Sequence, residues 1–438
     1  MAGTCAQPAL TSASQWSAPG RDPDALPRLL PTDPSAPLSL ARHLEHLGPP
    51  ARLYGADLVA AVTAAGLTGR GGAAFPVARK IAAVLAQGAP PVVVANAAEG
   101  EPAASKDKSL LAMSPHLVLD GLATAAHAIG AVRTIVYLHA SPRLEALLRH
   151  ALAERRAARL DRLSIEVVTA PNRFIAGEES AVVAAIDGGR AIPRVKPPRV
   201  FEQGVGKMPT LVHNVETLAQ VGLIARYGPD WFRAVGTPEE PGSMLFSVGG
   251  AVPEPRVLEG PIGVPLDRVL ASVGGATQPL QAVLFGGYHG GWIAASEIDG
   301  LRLCNAALRP AGAALGAGVI VTLPDDVCGL VETARVLRYL AGESAGQCGP
   351  CLHGLPHLAD QFTAIARPRR SRRARRQLHD TADLLRGRGA CAHPDGSLRF
   401  ALSALTAFRS ELDEHASGRC TARSRRAVLP IPAHARSD

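Results

Sequence analysis

The 438-residue chain is 47% hydrophobic and 19% charged, which excludes a single small module and wholesale disorder; with only 4% aromatic residues its cores must be built from Ala, Val and Leu. Its 44 glycines and 36 prolines follow no collagen-like period and exclude a pure helical bundle, leaving a mixed α/β chain with many tight turns. No apolar run reaches about 18 residues, and the N-terminus has no basic start followed by an apolar stretch, so neither a membrane span nor secretion is expected.

Residues 1–48 are rich in Pro, Ala and Ser without a sustained period and are expected to form a loose arm. The segment 49–236 alternates helical and apolar extended patterns. Helices at 57–67 and 76–86 bracket a Gly-rich turn at 68–74, and strand 91–96, helix 116–129, strand 133–139, helix 143–159 and strand 164–169 follow. This is the pattern of a doubly wound α/β domain. Over 237–324 it gives way to short β segments at 243–249, 256–259 and 282–285 punctuated by Gly-Gly pairs, which suggests a small α+β or β-grasp domain. Residues 325–415 are helix-compatible and predict a third, helical domain, and 416–438 a flexible basic tail.

The net charge of +8 is concentrated, with seven arginines between Arg367 and Arg376. No aromatic residue interleaves with them as a base-stacking surface requires, so the run reads as a solvated face and no nucleic acid is expected. The seven cysteines, at 5, 304, 328, 348, 351, 391 and 420, show no disulfide-framework spacing and suit thiols kept reduced for metal or redox chemistry.

Gly69-Arg70-Gly71-Gly72-Ala73-Ala74 fits a loose dinucleotide template, but it follows a helix, where the standard fingerprint follows a strand. Small residues there would let backbone N–H groups approach a phosphate at the start of the next helix; an ordinary helix connector explains them equally well. Asn96-Ala97-Ala98-Glu99-Gly100-Glu101-Pro102, followed by Lys106-Asp107-Lys108, stands at the carboxyl end of a strand, where open α/β sheets bind ligands. A second acidic pair, Glu178 and Glu179, follows Gly177 at a helix start, where a plain N-cap is the competing explanation.

Taken in series, 66–76, 96–108, Phe174-Ile175-Ala176-Gly177-Glu178-Glu179, Pro193-Arg194-Val195-Lys196-Pro197-Pro198 and Pro209-Thr210-Leu211-Val212-His213-Asn214-Val215-Glu216-Thr217 closely resemble the NADH-oxidising flavoprotein, or F, subunit of bacterial NADH:quinone oxidoreductase, respiratory complex I. Related subunits serve bidirectional hydrogenases and NAD-dependent formate dehydrogenases. The resemblance spans about 60–410 and implies a Rossmann-like FMN-binding domain, a β-grasp domain and a C-terminal helical bundle holding a [4Fe–4S] cluster. It implies FMN held by Gly69, Gly71, Gly72 and Lys80, continued by Asn96, Glu99, Gly177, Glu178 and Asn214. Glu101 and Glu179 fall at the reacting nicotinamide end, Phe75 at the adenine of NADH, and Lys196 at a cofactor-contacting position. The implied chemistry is hydride transfer from NADH to the flavin and single-electron exit through iron–sulfur. Implied partners are NAD(P)H and a ferredoxin-like or membrane-associated redox protein. The implied place is the cytoplasm, with peripheral attachment to the inner face of the membrane through partner subunits.

The family's cluster motif is Glu-Ser-Cys-Gly-Gln-Cys-x-Pro-Cys with a distant fourth Cys; this chain reads Glu343-Ser344-Ala345-Gly346-Gln347-Cys348-Gly349-Pro350-Cys351, with Cys391 beyond. Cys348, Cys351 and Cys391 are therefore the implied ligands, and Ala345 replaces the first. A four-iron cluster with a non-Cys ligand such as water, His353 or a carboxylate, a three-iron form, and loss of the cluster all remain open, and a C-x-x-C pair also suits zinc or dithiol cycling. Cys328 is a candidate substitute; Cys5, Cys304 and Cys420 fall outside the pattern and are expected to be inert. Ala98, Phe174, His213, Arg199 and Ala83 also depart from the family, weakening NADH stacking more than FMN binding and leaving NADPH open. A rival reading is a degenerate member that keeps the fold in a structural or regulatory role.

Overall fold

The computed structural model describes residues 26–31, 37–369 and 371–432. Strands β1 (Val92–Ala97), β2 (Arg133–His139), β3 (Ile165–Ala170) and β4 (Thr210–Asn214) form an all-parallel sheet in the order β3-β2-β1-β4. Alternate residues of β1 enter different cores: Val93 and Ala95 join the helices Gly55–Ala65, Val77–Leu85, Pro115–Ile129 and Val215–Arg233, while Val92 and Val94 meet Val182 and Val183 of helix Glu179–Ile186. Burial on both faces is why β1 and the middle of β2 read as continuous apolar runs, whereas the edge strand β3 is only half-buried. Helices Pro115–Ile129 and Val215–Arg233 cross nearly backbone to backbone, since a methyl group on Gly121 would overlap the Leu218 carbonyl oxygen and one on Gly222 would lie 3.1 Å from Gly121 N.

The second unit is a mixed sheet of β5 (Ser243–Gly250), β6 (Arg256–Pro261), β7 (Leu280–Phe285), β8 (Gly291–Ala294) and β9 (Val319–Pro324), ordered β6-β5-β9-β7-β8. β5 runs parallel to the central β9 and every other pairing is antiparallel. The sequence reading missed β8 and β9: β8 is four residues long beside a Gly pair, and β9, fully buried, has no alternation to mark it. Helices Gly329–Gly342, Leu355–Ile365, Ser371–Leu385, His393–Ala407 and Arg409–Ala416 make up the C-terminal region. Arg375 and Arg376, from the arginine run, lie exposed on helix Ser371–Leu385. Among the described residues no helix is long and apolar enough to cross a membrane.

Two expectations fail. Within the supposed loose arm, Leu40–Leu47 is a helix whose buried His43 meets Asp120 (2.9 Å), and Asp120 also receives Arg155 (2.7 Å) and Arg226 (3.1 Å). Burial alone would raise the Asp120 carboxyl, but His43 and Arg155 hold it below its usual range. Upstream, the backbone N–H groups of Arg28 and Leu29 both donate to buried Glu259 at 2.7 Å, and the Arg28 guanidinium lies 3.9 Å from the Trp231 ring centre. The remaining arm residues, 1–25 and 32–36, lie outside the described residues. The supposed flexible tail is also docked as far as 432: Ser424 bridges Val327, Val428 and Leu429 donate to Glu332 (3.0 and 2.8 Å), and Leu429 is buried. In both segments, single buried carboxylates capture consecutive backbone N–H groups, a long-range interaction that local composition does not encode.

The helix crossing gives a direct expectation. Gly121→Ala should destabilise the protein by about 1–3 kcal/mol or more through overpacking, whereas Gly249→Ala, where a Cβ meets nothing within 4 Å, should leave stability unchanged. Urea unfolding midpoints of the two variants test this.

Candidate active site

From β1 the chain steps to β2 and β3 on one side, then returns to place β4 on the other, so the ends of β1 and β4 part around a crevice. Such a switch point is where open α/β sheets bind ligands. Asn96 and Asn214 occupy paired positions at those two ends. Asn96 Nδ2 donates to Gly177 O (2.8 Å) and its Oδ1 accepts from Ala98 N–H (3.1 Å). Asn214 caps helix Val215–Arg233 through Glu216 N–H (3.0 Å) and donates to Asp107 (2.6 Å).

The Gly-rich turn closes over this crevice between helices Gly55–Ala65 and Val77–Leu85, fixed by Gly69 N–H to Phe75 O (2.9 Å) and Val77 N–H to Leu67 O (3.1 Å). Gly72 needs its glycine for a φ of +107°. Gly69 does not: a Cβ there would meet Phe75 O at an ordinary 3.6 Å, and one on Gly71 would sit 3.3 Å from the Asn214 Cβ. The fold therefore does not itself demand the small residue at Gly69, and the space it leaves faces no protein atom closer than ordinary contact. Arg70, by contrast, is a clasp: its N–H reaches Thr217 (2.9 Å) and its buried guanidinium reaches Thr68 (3.1 Å) and Ser243 O (3.2 Å). Phe75 stands at the lip, 50% exposed, with the Arg79 guanidinium 5.8 Å from its ring centre.

Four charged residues from three segments form one chain. Lys80 Nζ donates to Glu179 (2.7 Å) and Val212 O (2.8 Å); Lys196 Nζ meets Glu178 (2.9 Å) and Glu179 (3.5 Å). Burial would raise Glu179, but the two ammonium groups outweigh it and hold the carboxyl below its usual range. Glu178 also caps helix Glu179–Ile186, accepting from Ser180 and Ala181 N–H groups (2.8 and 3.2 Å), so the structural explanation and the site geometry coexist in one side chain. Next to this chain, on β4, buried His213 has an Nε2 with no hydrogen-bond partner among the described residues, and burial plus the nearby Lys80 charge keep it neutral.

Glu99 and Glu101 are held from several sides. Glu99 accepts from Asp107 and Lys108 N–H groups (3.1 and 3.4 Å), and Glu101 from Ala103 N–H (3.2 Å) and, across to the second sheet unit, Tyr288 N–H (2.7 Å). Burial is the main reason both carboxyls are pushed up to about 7, with the Asp107 charge adding at Glu99. The sequence reading did not single out Lys106, a fully buried cation paired with Asp107 (2.6 Å) and Glu216 (2.8 Å) beside Asn214. Its signal was present in the Lys-Asp pair directly after the acidic segment, but nothing local distinguishes a buried lysine from a solvated one.

The C-terminal thiols gather at a π-turn, Pro350–Gly354. Burial and the neighbouring Cys348 push the Cys351 thiol up, opposed by the backbone N–H groups of Ala345 and Gly346, so Ala345 lies beside this thiol pair. Burial pushes Cys391 up to about 11, opposed by the His393 N–H and helped by Cys351, Glu178 and Cys348, which places the thiol set within electrostatic reach of the charged chain. Glu343 joins the two regions directly, accepting from Arg173 (2.9 Å) and from Phe174 N–H (2.7 Å). Phe174 packs against His289 and His393, with ring centres at 4.8 and 5.6 Å. Cys328 is not among these thiols: it lies with Glu411, His415 and Cys420, which corrects its reading as a substitute ligand.

Residues 62–223 match the family described as the Nuo51 FMN-binding domain, and residues 332–415 the NADH-ubiquinone oxidoreductase-F iron-sulfur binding region. The NADH-quinone oxidoreductase F subunit of Streptomyces coelicolor is 33% identical over 378 residues, covering 83% of this chain and 84% of that protein. The HndC subunit of the NADP-reducing hydrogenase of Solidesulfovibrio fructosivorans is 29% identical over 82% of this chain and 76% of its own. The crystal structure of an NAD+-reducing [NiFe]-hydrogenase in the H2-reduced state contains a chain that matches with a TM-score of 0.73 and 32% identity over 82% of this chain; this chain spans only 63% of that one. With an FMN-binding domain, an iron–sulfur-binding region and this likeness over most of its length, the chain belongs to the family of NADH-quinone oxidoreductase F subunits, the NADH dehydrogenase flavoproteins.

Proposed function

We propose that this protein oxidises NAD(P)H at an FMN held in the β1/β4 crevice and hands electrons singly, through an iron–sulfur centre, to a ferredoxin-like or membrane-associated redox protein on the cytoplasmic side. The observation that carries this is the paired Asn96 and Asn214 at the switch point, roofed by the Gly turn and flanked by the Lys80–Glu179–Lys196–Glu178 chain.

The residues suit a flavin phosphate. Gly69 leaves space that folding does not require, Gly71 and Gly72 continue that floor, and Lys80 supplies the cation. Asn96, Glu99, Gly177, Glu178 and Asn214 form the walls around the polar part of the cofactor. FMN, when bound, supplies a centre that accepts two electrons together and releases them one at a time. Lys196 and Phe75 orient the dinucleotide, the first by charge and the second by an exposed face for adenine. Glu101 and Glu179 border the reacting end. With a carboxyl near neutrality in its titration, Glu101 can hold a proton toward a carboxamide, while Glu179 stays ionised between its two lysines.

Cys348, Cys351 and Cys391 fit three corners of an iron–sulfur centre, and Ala345 leaves the fourth iron without a protein thiolate. Glu343 and His393 do not fill the gap: the first is bound to Arg173 and Phe174, the second to Leu340 O and His289. Ala345 is also the observation that favours the rival reading, a degenerate subunit that keeps the fold without turnover. Under anaerobic conditions NADH should bleach the flavin absorbance of the purified protein; an unbleached, stably bound flavin selects the rival.

Lys80→Ala removes the cation between Glu179 and Val212 O and should cost most of the bound flavin, about tenfold or more in affinity; full flavin retention would overturn the FMN site. Cys391→Ser should abolish bound iron and acid-labile sulfide, and Ala345→Cys should slow iron loss in air. The raised Glu101 carboxyl gives a signed pH dependence. Because its folded value of about 7 lies above the ordinary 4.5, its stabilising contribution is full below 4.5 and is lost as pH rises through about 7. Melting temperatures between those pH values should fall less steeply in Glu101→Gln than in the parent.

A further inference from the structure

Away from the crevice and the cluster thiols, four side chains with metal-ligand chemistry converge. Cys328 immediately precedes helix Gly329–Gly342, Glu411 and His415 stand one turn apart on helix Arg409–Ala416, and Cys420 follows in the docked C-terminal segment. Their ligand atoms all lie within 4.8 Å of one another. Cys328 Sγ is 3.7 Å from His415 Nε2 and 3.9 Å from Glu411 Oε1, and the latter two atoms are 2.9 Å apart. Tetrahedral zinc, with bonds of about 2.3 Å to sulfur and about 2.0–2.1 Å to nitrogen and oxygen, places neighbouring ligand atoms about 3.4–3.8 Å apart. The separations among Cys328, Glu411 and His415 lie within about half an ångström of those of a Cys2HisGlu shell, and those to Cys420 are longer than it needs by at most about 1.4 Å.

The surroundings are those of a built site. Thr421 grips Glu411 twice, its N–H on Oε1 at 3.0 Å and its hydroxyl on Oε2. The Ile365 carbonyl lies 3.4 Å from His415 Nδ1, a partner that can only accept and so leaves Nε2 as the inward-facing ligand atom. Cys328, Glu411 and His415 are buried while Cys420 is exposed, which gives an ion a route in.

We propose that Cys328, Glu411, His415 and Cys420 bind a structural Zn2+ ion that staples the C-terminal segment to the base of helix Gly329–Gly342. All four positions come from the protein, so the ion has no open site for chemistry. Binding displaces the two thiol protons and any proton carried on His415 Nε2, with no change of oxidation state.

The test uses the full-length protein purified anaerobically with its flavin and iron retained, and measures zinc separately from iron. About one zinc per chain is expected. Cys420→Ser, at an exposed position where folding is not at risk, should lower zinc affinity against a metallochromic chelator by at least about tenfold and lower the melting temperature only when zinc is present. Cys391→Ser should lose iron and keep the zinc, which separates this site from zinc captured by the Cys348 and Cys351 thiols. Cobalt(II) in place of zinc should give a thiolate charge-transfer band that Cys420→Ser weakens. Zinc content unchanged in Cys420→Ser, no zinc or cobalt uptake by the parent, or a Cys328–Cys420 disulfide in the anaerobic protein would each overturn the proposal.

Discussion

The arrangement depends on the divergence of the chain at the carboxyl ends of β1 and β4. Parallel strands cannot be joined by tight turns, so each crossover runs over a face of the sheet, and where successive crossovers depart to opposite sides a cleft is left that no side chain has to fill. Every segment of the candidate site is delivered there by its attachment to that sheet. The acidic loop leaves β1, the loop carrying Gly177 and Glu178 follows β3, the Asn cap ends β4, and the Gly turn is clasped from outside by Arg70 on Thr217 and Ser243. The glycines Gly100 and Gly177 serve this convergence: side chains there would lie 2.5 Å from Phe174 O and Ala98 O, so the two loops meet only because neither carries a Cβ.

A second constraint is the cost of burying charge. Lys106 is surrounded by Asp107 and Glu216, and Asp120 by His43, Arg155 and Arg226, so removing any one partner strands the others in a poorly solvated place. Among the described residues Glu101 and Glu99 have no comparably close cation, the nearest being Lys108 at 3.9 Å from Glu99, and are kept by backbone N–H groups; burial then raises their carboxyls toward neutrality. Within one stretch of chain after β1, the partners met by each side chain thus separate the permanently charged Lys106 from Glu99 and Glu101, which can change protonation under physiological conditions.

Much of the parallel domain was legible because period and punctuation agree there. Strand 133–139 was placed to the residue, and the helices at 57–67, 76–86 and 143–159 to within two residues at each end. The order of short motifs carried the family. What escaped were interactions between distant segments. Glu259 anchoring residues 28 and 29, Glu332 anchoring 428 and 429, and the meeting of Cys328 with Cys420 each join residues about ninety or more apart, and no local pattern announces them. Lys106 and Arg70 were passed over for a related reason: burial of a cation is decided by the partners the fold brings, and sequence neighbours supply only some of them.

Glu343 bears on electron movement. One carboxylate oxygen receives both Arg173 and the backbone of Phe174, so the stretch of chain leading into Cys348 and the loop leading into Gly177 are fastened at a common point. With a flavin and an iron–sulfur centre bound at the sites proposed above, this shared anchor would tie the loop beside the electron donor to the loop beside the acceptor, and so restrain the gap an electron has to cross.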